Sequence, residues 1–184
     1  MSDINERLDN LKKLIQEEDF LQGRGLSNEV NIRMFCYDPK EEMIVRSFIE
    51  KRLNPNSLKC SIQIVDLYET FLKICEEMDI LEAIPEIEKE EGREFLERQL
   101  ENVIDDKVFA NYIVEHFDNQ DVLMITGVGK VFPFMRVHSL LSALQSDLND
   151  KPIIVLYPGT FDGHYVKLFN QLKANEYYRA FNII

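Results

Sequence analysis

Apolar positions along the chain change their spacing several times, and each change marks an element. Ile4, Leu8, Leu11 and Ile15 fall on one helical stripe, with Leu14 widening it, and Gln22-Gly23-Arg24-Gly25 supplies two glycines to end the helix. Asn31–Tyr37 reads as a strand. Asp38-Pro39 opens a helix over about Lys40 to Leu53, predicted to bury Met43, Ile44, Phe48 and Ile49. Lys59–Leu67 alternates, with Cys60, Ile62, Ile64 and Asp66 on one face and Val65 on the other, as a second strand does, and Tyr68–Ile80 follows as a helix. From Leu81 to about residue 117 the chain is Glu-rich with helical periodicity, its best stripe being Phe95, Leu96, Leu100, Val103 and Ile104. The pattern then becomes strand Asp121–Thr126, turn Gly127-Val128-Gly129-Lys130, a helix from about Arg136 to Ser146, strand Pro152–Tyr157 and a turn over Pro158–His164. Tyr165–Lys173 resembles a short helix, and Glu176–Ile184 a last strand.

Two short apolar runs ending in glycine turns, with one amphipathic helix between them, predict parallel strands buried on both faces. The expected architecture is a single three-layer, Rossmann-like α/β domain over residues 1–184. It has about five mostly parallel strands flanked by helices, and an acidic helical insertion, about residues 81–117, between the second and third strands. Ligands on such sheets bind beyond the carboxyl ends of the strands, where the two turns would sit.

Charge sharpens this division. Residues 1–106 carry 26 acidic against 14 basic side chains and residues 107–184 carry seven of each, so the net charge of −12 lies wholly in the first part. An acidic surface disfavours adventitious nucleic-acid binding and leaves DNA contact only to the neutral part. The first residues have neither a basic n-region nor an apolar core, and no apolar run reaches the roughly 20 residues of a membrane span, which predicts a cytoplasmic protein with no membrane contact. Cys36, Cys60 and Cys75 sit in or beside apolar runs and read as small core residues.

The turns hold the candidate chemistry. Gly127-Val128-Gly129-Lys130 invites comparison with a phosphate-binding loop, but Met124 stands where the early glycine belongs and Val131 where Ser or Thr is required. Tyr157-Pro158-Gly159-Thr160-Phe161-Asp162 resembles the first turn of the phosphopantetheine adenylyltransferases, except that Gly163-His164 follows at once and shortens the loop. Arg136, His138, Ser139, Asp162 and His164 would converge at the strand ends. No G-x-S-x-G pattern and no metal-ligand spacing accompanies them, so no catalytic residue, metal or cofactor is expected. The candidate ligand or partner site is therefore Gly127, Gly129, Lys130, Arg136, His138, Tyr157, Gly159, Thr160, Asp162 and His164.

The same words carry a family resemblance. Thr126-Gly127-Val128-Gly129, then Val131, Pro133-Phe134 and Arg136-Val137-His138-Ser139-Leu140-Leu141, resemble a signature of the BrxB family of bacteriophage exclusion (BREX) systems. Leu156-Tyr157-Pro158-Gly159-Thr160-Phe161-Asp162-Gly163, the ending Asn175-Glu176-Tyr177-Tyr178-Arg179-Ala180-Phe181 and the opening Ile4-Asn5-Glu6-Arg7-Leu8 are similar to it as well. The resemblance implies a role in anti-phage defence beside a large ATPase, an alkaline-phosphatase-fold protein and an adenine methyltransferase, and it assigns no catalytic activity. The expectation is a non-catalytic assembly or adaptor component, with Tyr177 and Tyr178 as possible anchors and a homodimer through the final strand or first helix as a further possibility. The alternatives are a degenerate nucleotide-binding or hydrolytic enzyme using the strand-end turns, and a DNA-binding subunit of the same system.

Overall fold

The computed structural model describes residues 3–24, 31–176 and 181–182. In chain order its elements are α1 (Ile4–Leu14), α2 (Glu18–Leu21), β1 (Ile32–Tyr37), α3 (Glu42–Arg52), β2 (Ile62–Asp66), α4 (Leu67–Glu77), α5 (Ile84–Glu91), α6 (Arg93–Val103), α7 (Asp106–Glu115), β3 (Val122–Thr126), α8 (Val128–Val131), α9 (Val137–Leu144), β4 (Ile153–Phe161), β5 (Tyr165–Leu168), β6 (Asn175–Glu176) and β7 (Phe181–Asn182). Five strands pair in parallel in the order β2-β3-β4-β1-β7. The outer part of β4 turns back into antiparallel β5, which pairs with β6.

The sheet is buried on both faces because its strands are apolar at successive positions. Leu123, Ile125, Ile153, Val155 and Tyr157 pack with α4, α6, α7, α8 and α9 on one face. Their neighbours Val122, Met124, Ile154 and Leu156 pack with Ile4, Leu8 and Leu11 of α1 and with Val45 and Phe48 of α3 on the other. The expected parallel α/β domain with its helical insertion before β3 is thus observed, as two cores separated by one sheet.

Several local expectations are corrected. The segment read as a helix over Tyr165–Lys173 begins with strand β5, whose Val166 and Leu168 are buried while Tyr165 and Lys167 are exposed, a period of two. The turn read over Pro158–His164 shrinks to three residues, since β4 runs through Phe161 and pairs Gly159 with Leu168, Thr160 with Lys167 and Phe161 with Val166. On α3, Val45 and Phe48 are buried, whereas Met43 and Ile44 are 70% and 40% exposed. On β2 the buried face carries Val65 and Ile64 points outward, because β2 is an edge strand whose inner face meets α4. Of the expected stripe in the insertion, the i, i+4 set Leu96, Leu100 and Ile104 is buried, whereas Phe95 and Val103 remain exposed. The first helix breaks after Leu14 and resumes as α2, which buries Phe20. Gly25, and the predicted last strand Glu176–Ile184 apart from Glu176 and Phe181–Asn182, lie outside the described residues.

Candidate functional site

Asp66 and Thr126 are the last paired residues of β2 and β3, so the Asp66 carboxylate comes to lie beside the loop that starts at Gly127. One carboxylate oxygen accepts from the amides of Tyr68 (3.0 Å) and Glu69 (3.2 Å), capping α4, and the other forms an ion pair with Lys130. The lysine that invited comparison with a phosphate-binding loop is therefore committed to an internal partner. Gly127 adopts a left-handed φ of +74°, and a Cβ there would stand 2.5 Å from the Asp66 carboxylate. The amides of Lys130 and Val131 donate back to the Gly127 carbonyl (both 3.0 Å), closing the short α8 turn. A Cβ on Gly129 would meet the Phe169 ring at 2.7 Å. The loop is packed against the protein itself.

The second turn has a comparable internal use. Asp162 accepts from the amides of Tyr165 (2.7 Å) and His164 (2.9 Å), and these bonds hold its carboxyl below the usual range. Thr160 and His164 are exposed on this hairpin, and a Cβ on Gly159 would stand 2.2 Å from the Lys167 carbonyl oxygen. Asp162 and His164 do not join the residues lining the cavity described next.

Three of the expected residues, Arg136, His138 and Tyr157, line one cavity of about 210 Å³ beyond the carboxyl ends of β3 and β4. Its walls are Val128, Phe132, Met135, Val137, Leu168 and Leu172, and Lys173 and Asn175 complete the lining. Sequence reasoning missed the wall residues because they come from the α8–α9 connection and from the segment around β5 and β6. Tyr157 is 2% exposed, and burial pushes its phenol up. Arg136, immediately before α9, is exposed and unpaired among the described residues. Burial and the nearby Arg136 charge lower the His138 pKa, partly opposed by Asp106, which favours a neutral imidazole.

Arg136 also lines a more open cavity of about 240 Å³ with Glu101, Asp105, Asp106, Ser139 and Phe134. Burial raises the Asp106 carboxyl, and the adjacent Ser139 hydroxyl acts in the opposite direction. Asp66 was read only as a strand position, although an Asp followed by helix residues and Glu69 is an N-cap signal. Burial pushes the Cys36 thiol up to about 12 and that of Cys75 up to about 11, consistent with cysteines that serve the core. Among the described residues no group of three or more His, Cys, Asp or Glu is placed to hold a metal ion, and no helix is long and apolar enough to cross a membrane.

Fold and site define a parallel α/β domain whose strand-end loops are packed by their own side chains, with a small amphipathic cavity beside its central strand β4. The family model described as "BREX protein BrxB" matches residues 63–183. A Bacillus cereus (strain H3081.97) protein described as BREX protein BrxB is 36% identical over 100% of this chain and 99% of its own length. A protein of the same description from Escherichia coli O9:H4 (strain HS) is 28% identical over 97% of this chain and 90% of its own length. No solved structure gives a significant match. The chain belongs to the BrxB family, and with it to the components of BREX anti-phage defence.

Proposed function

We propose that this chain serves BREX as a non-catalytic assembly subunit that docks on another component of the system. The observation that carries this reading is the outer face of α3. Met43 is 70% and Ile44 40% exposed, and they line a shallow groove with Asn5, Ser47, Phe48, Lys51 and Arg52. Two adjacent large apolar side chains on a helix that already buries Val45 and Phe48 form a surface suited to a partner. Lys51 flanks it with positive charge, Arg52 beside it being held in an ion pair by Asp9, whereas the chain as a whole carries −12. A second copy docked through the same groove would set like charge against like, so the occupant proposed is an apolar segment with acidic flanks from another BREX component. The internal use of Lys130, Asp162 and the turn glycines agrees with a role in which these residues shape the body of the subunit. Tyr177 and Tyr178, the anchors expected from sequence, lie outside the described residues.

The test is affinity capture of the tagged chain from cells expressing the complete BREX gene set, with wild type, Met43→Asp/Ile44→Asp and Arg136→Ala compared at physiological salt. The expected result is a BREX component retained by wild type and Arg136→Ala and lost by the α3 variant, whose fold is checked by its unchanged melting temperature. Exposed substitutions of this kind shift stability by only about 0.5 kcal/mol. Absence of any BREX component from the wild-type capture would end the assembly reading. Retention by the α3 variant would move the docking surface elsewhere.

A further inference from the structure

We propose that the cavity beyond β3 and β4 is a binding site for a small aromatic anion, a ring of one or two cycles bearing a carboxylate or phosphate. The reading is independent of docking through α3, which lies on the other face of the sheet.

Three features of the cavity point to such a ligand. Its walls, Val128, Phe132, Met135, Leu168 and Leu172, are apolar and include an aromatic ring, so they fit a flat hydrocarbon or heteroaromatic body. Tyr157, a side chain 98% withdrawn from solvent, lines the same cavity. A ligand atom that accepts from its phenol would add a hydrogen bond inside largely apolar walls. Burial keeps the phenol protonated, so it is available as a donor. At the rim stand the basic side chains Arg136 and Lys173, with Asn175 beside them and His138 held toward its neutral form. Of the two, Arg136 offers the fork of donors that matches a carboxylate or phosphate. The combination selects a ligand with an apolar body, an internal acceptor and an outward anion. A volume of about 210 Å³ suits one ring system and is too small for a dinucleotide.

The position agrees with the parallel sheet. β1 leads into α3 on one face and β3 leads into α8 and α9 on the other, so the connections diverge on either side of β4 around Tyr157, which is aligned with Cys36 of β1. Crevices beyond the carboxyl ends of such strands are where open α/β sheets bind ligands.

The probes are phenyl phosphate and benzoate as complete ligands, with inorganic phosphate and phenol as their separate halves, titrated calorimetrically into the full chain. At least one aromatic anion is expected to bind about tenfold or more tightly than either half, and which one does so distinguishes phosphate from carboxylate recognition. Arg136→Ala should weaken that binding by about tenfold, the loss of one charge-assisted contact. Tyr157→Phe, which keeps the ring and removes only the hydroxyl, should weaken it while leaving the melting temperature close to that of the wild type. Leu172→Trp, which fills the cavity, should abolish it. Binding of both aromatic anions no tighter than of phosphate or phenol overturns the proposal, as does aromatic-anion binding insensitive to both Arg136→Ala and Tyr157→Phe.

Discussion

The Asp66–Lys130 pair decides how the glycine loop is to be understood, and its energy can be worked out in advance. Asp66 does two things at once: it caps α4 through two backbone amides, and it holds Lys130. Loss of an N-cap side chain costs about 1 kcal/mol. The ion pair lies between the exposed pairs that contribute about 0–1 kcal/mol and the buried pairs whose rupture costs about 3–5 kcal/mol, because its side chains are 31% and 24% exposed. A coupling of about 1–1.5 kcal/mol follows. Asp66→Asn retains the cap, since Asn caps about as well as Asp, and should cost about 1 kcal/mol; Asp66→Ala loses both functions and should cost about 2–2.5 kcal/mol. For a chain of this length that larger loss lowers the melting temperature by about 4–10 °C. The assay is urea unfolding of wild type, Asp66→Asn, Lys130→Met and the double variant. Lys130→Met should be costly in the wild-type background and nearly free in the Asp66→Asn background. An equal cost in both backgrounds would refute the reasoning and return Lys130 to the pool of ligand-binding cations.

Two further perturbations test the hairpin and the β2–β3 pairing. Gly159→Ala places a methyl 2.2 Å from the Lys167 carbonyl oxygen and should destabilise the fold by about 3 kcal/mol, whereas Gly163→Ala, with φ of +98° and open space around it, should cost about 1–2 kcal/mol from backbone strain alone; equal melting temperatures for the two would contradict the close strand approach. Asp121 accepts from the Ser61 amide and hydroxyl (both 2.8 Å), and these bonds lower its pKa, so its contribution is complete above the unfolded value of about 4 and is lost as pH falls through the folded value. The stability difference between wild type and Asp121→Asn, followed by urea titration, should therefore be largest near neutrality and vanish in strong acid, and a difference independent of pH would exclude this origin.

The parallel core was legible because its signal is carried by runs of consecutive apolar residues. Val122–Thr126 and Ile153–Tyr157 are buried at every position, and two such runs around one helix leave few alternatives. Elements buried on a single face were read less well. On α3, Met43, Ile44, Phe48 and Ile49 make as good a helical stripe as the observed pair Val45 and Phe48, and only the packing of α1 against the same face chooses between them. On β2, Asp66 ends the strand as expected and also caps the next helix, but the alternation alone does not say which face meets the core: Val65 on the α4 side is buried and Ile64 is exposed.

The segment after Tyr157 shows why the site was only half legible. Pro158 and Gly159 are turn residues by local preference, and a proline can stay in a strand only where its missing donor is not needed. Pro158 is aligned with Tyr37, the last residue of β1, and its carbonyl accepts from the Phe169 amide at 2.8 Å, so the chain continues as β4 into a hairpin. Gly159 is needed for the approach of the Lys167 carbonyl, a requirement set by a strand eight residues away and invisible to any local reading. Continuing the strand carries Asp162 and His164 outward into the hairpin turn and leaves Tyr157 beneath the α8–α9 connection, with Leu168 and Leu172 returning to wall the cavity. Seven of the ten expected residues thereby fall into two sets with different chemistry. Lys130, Asp162 and the three glycines answer to partners within the fold, and their substitution should appear in stability. Arg136 and Tyr157 line the cavity, so the consequence of their loss should appear in binding while the fold stands.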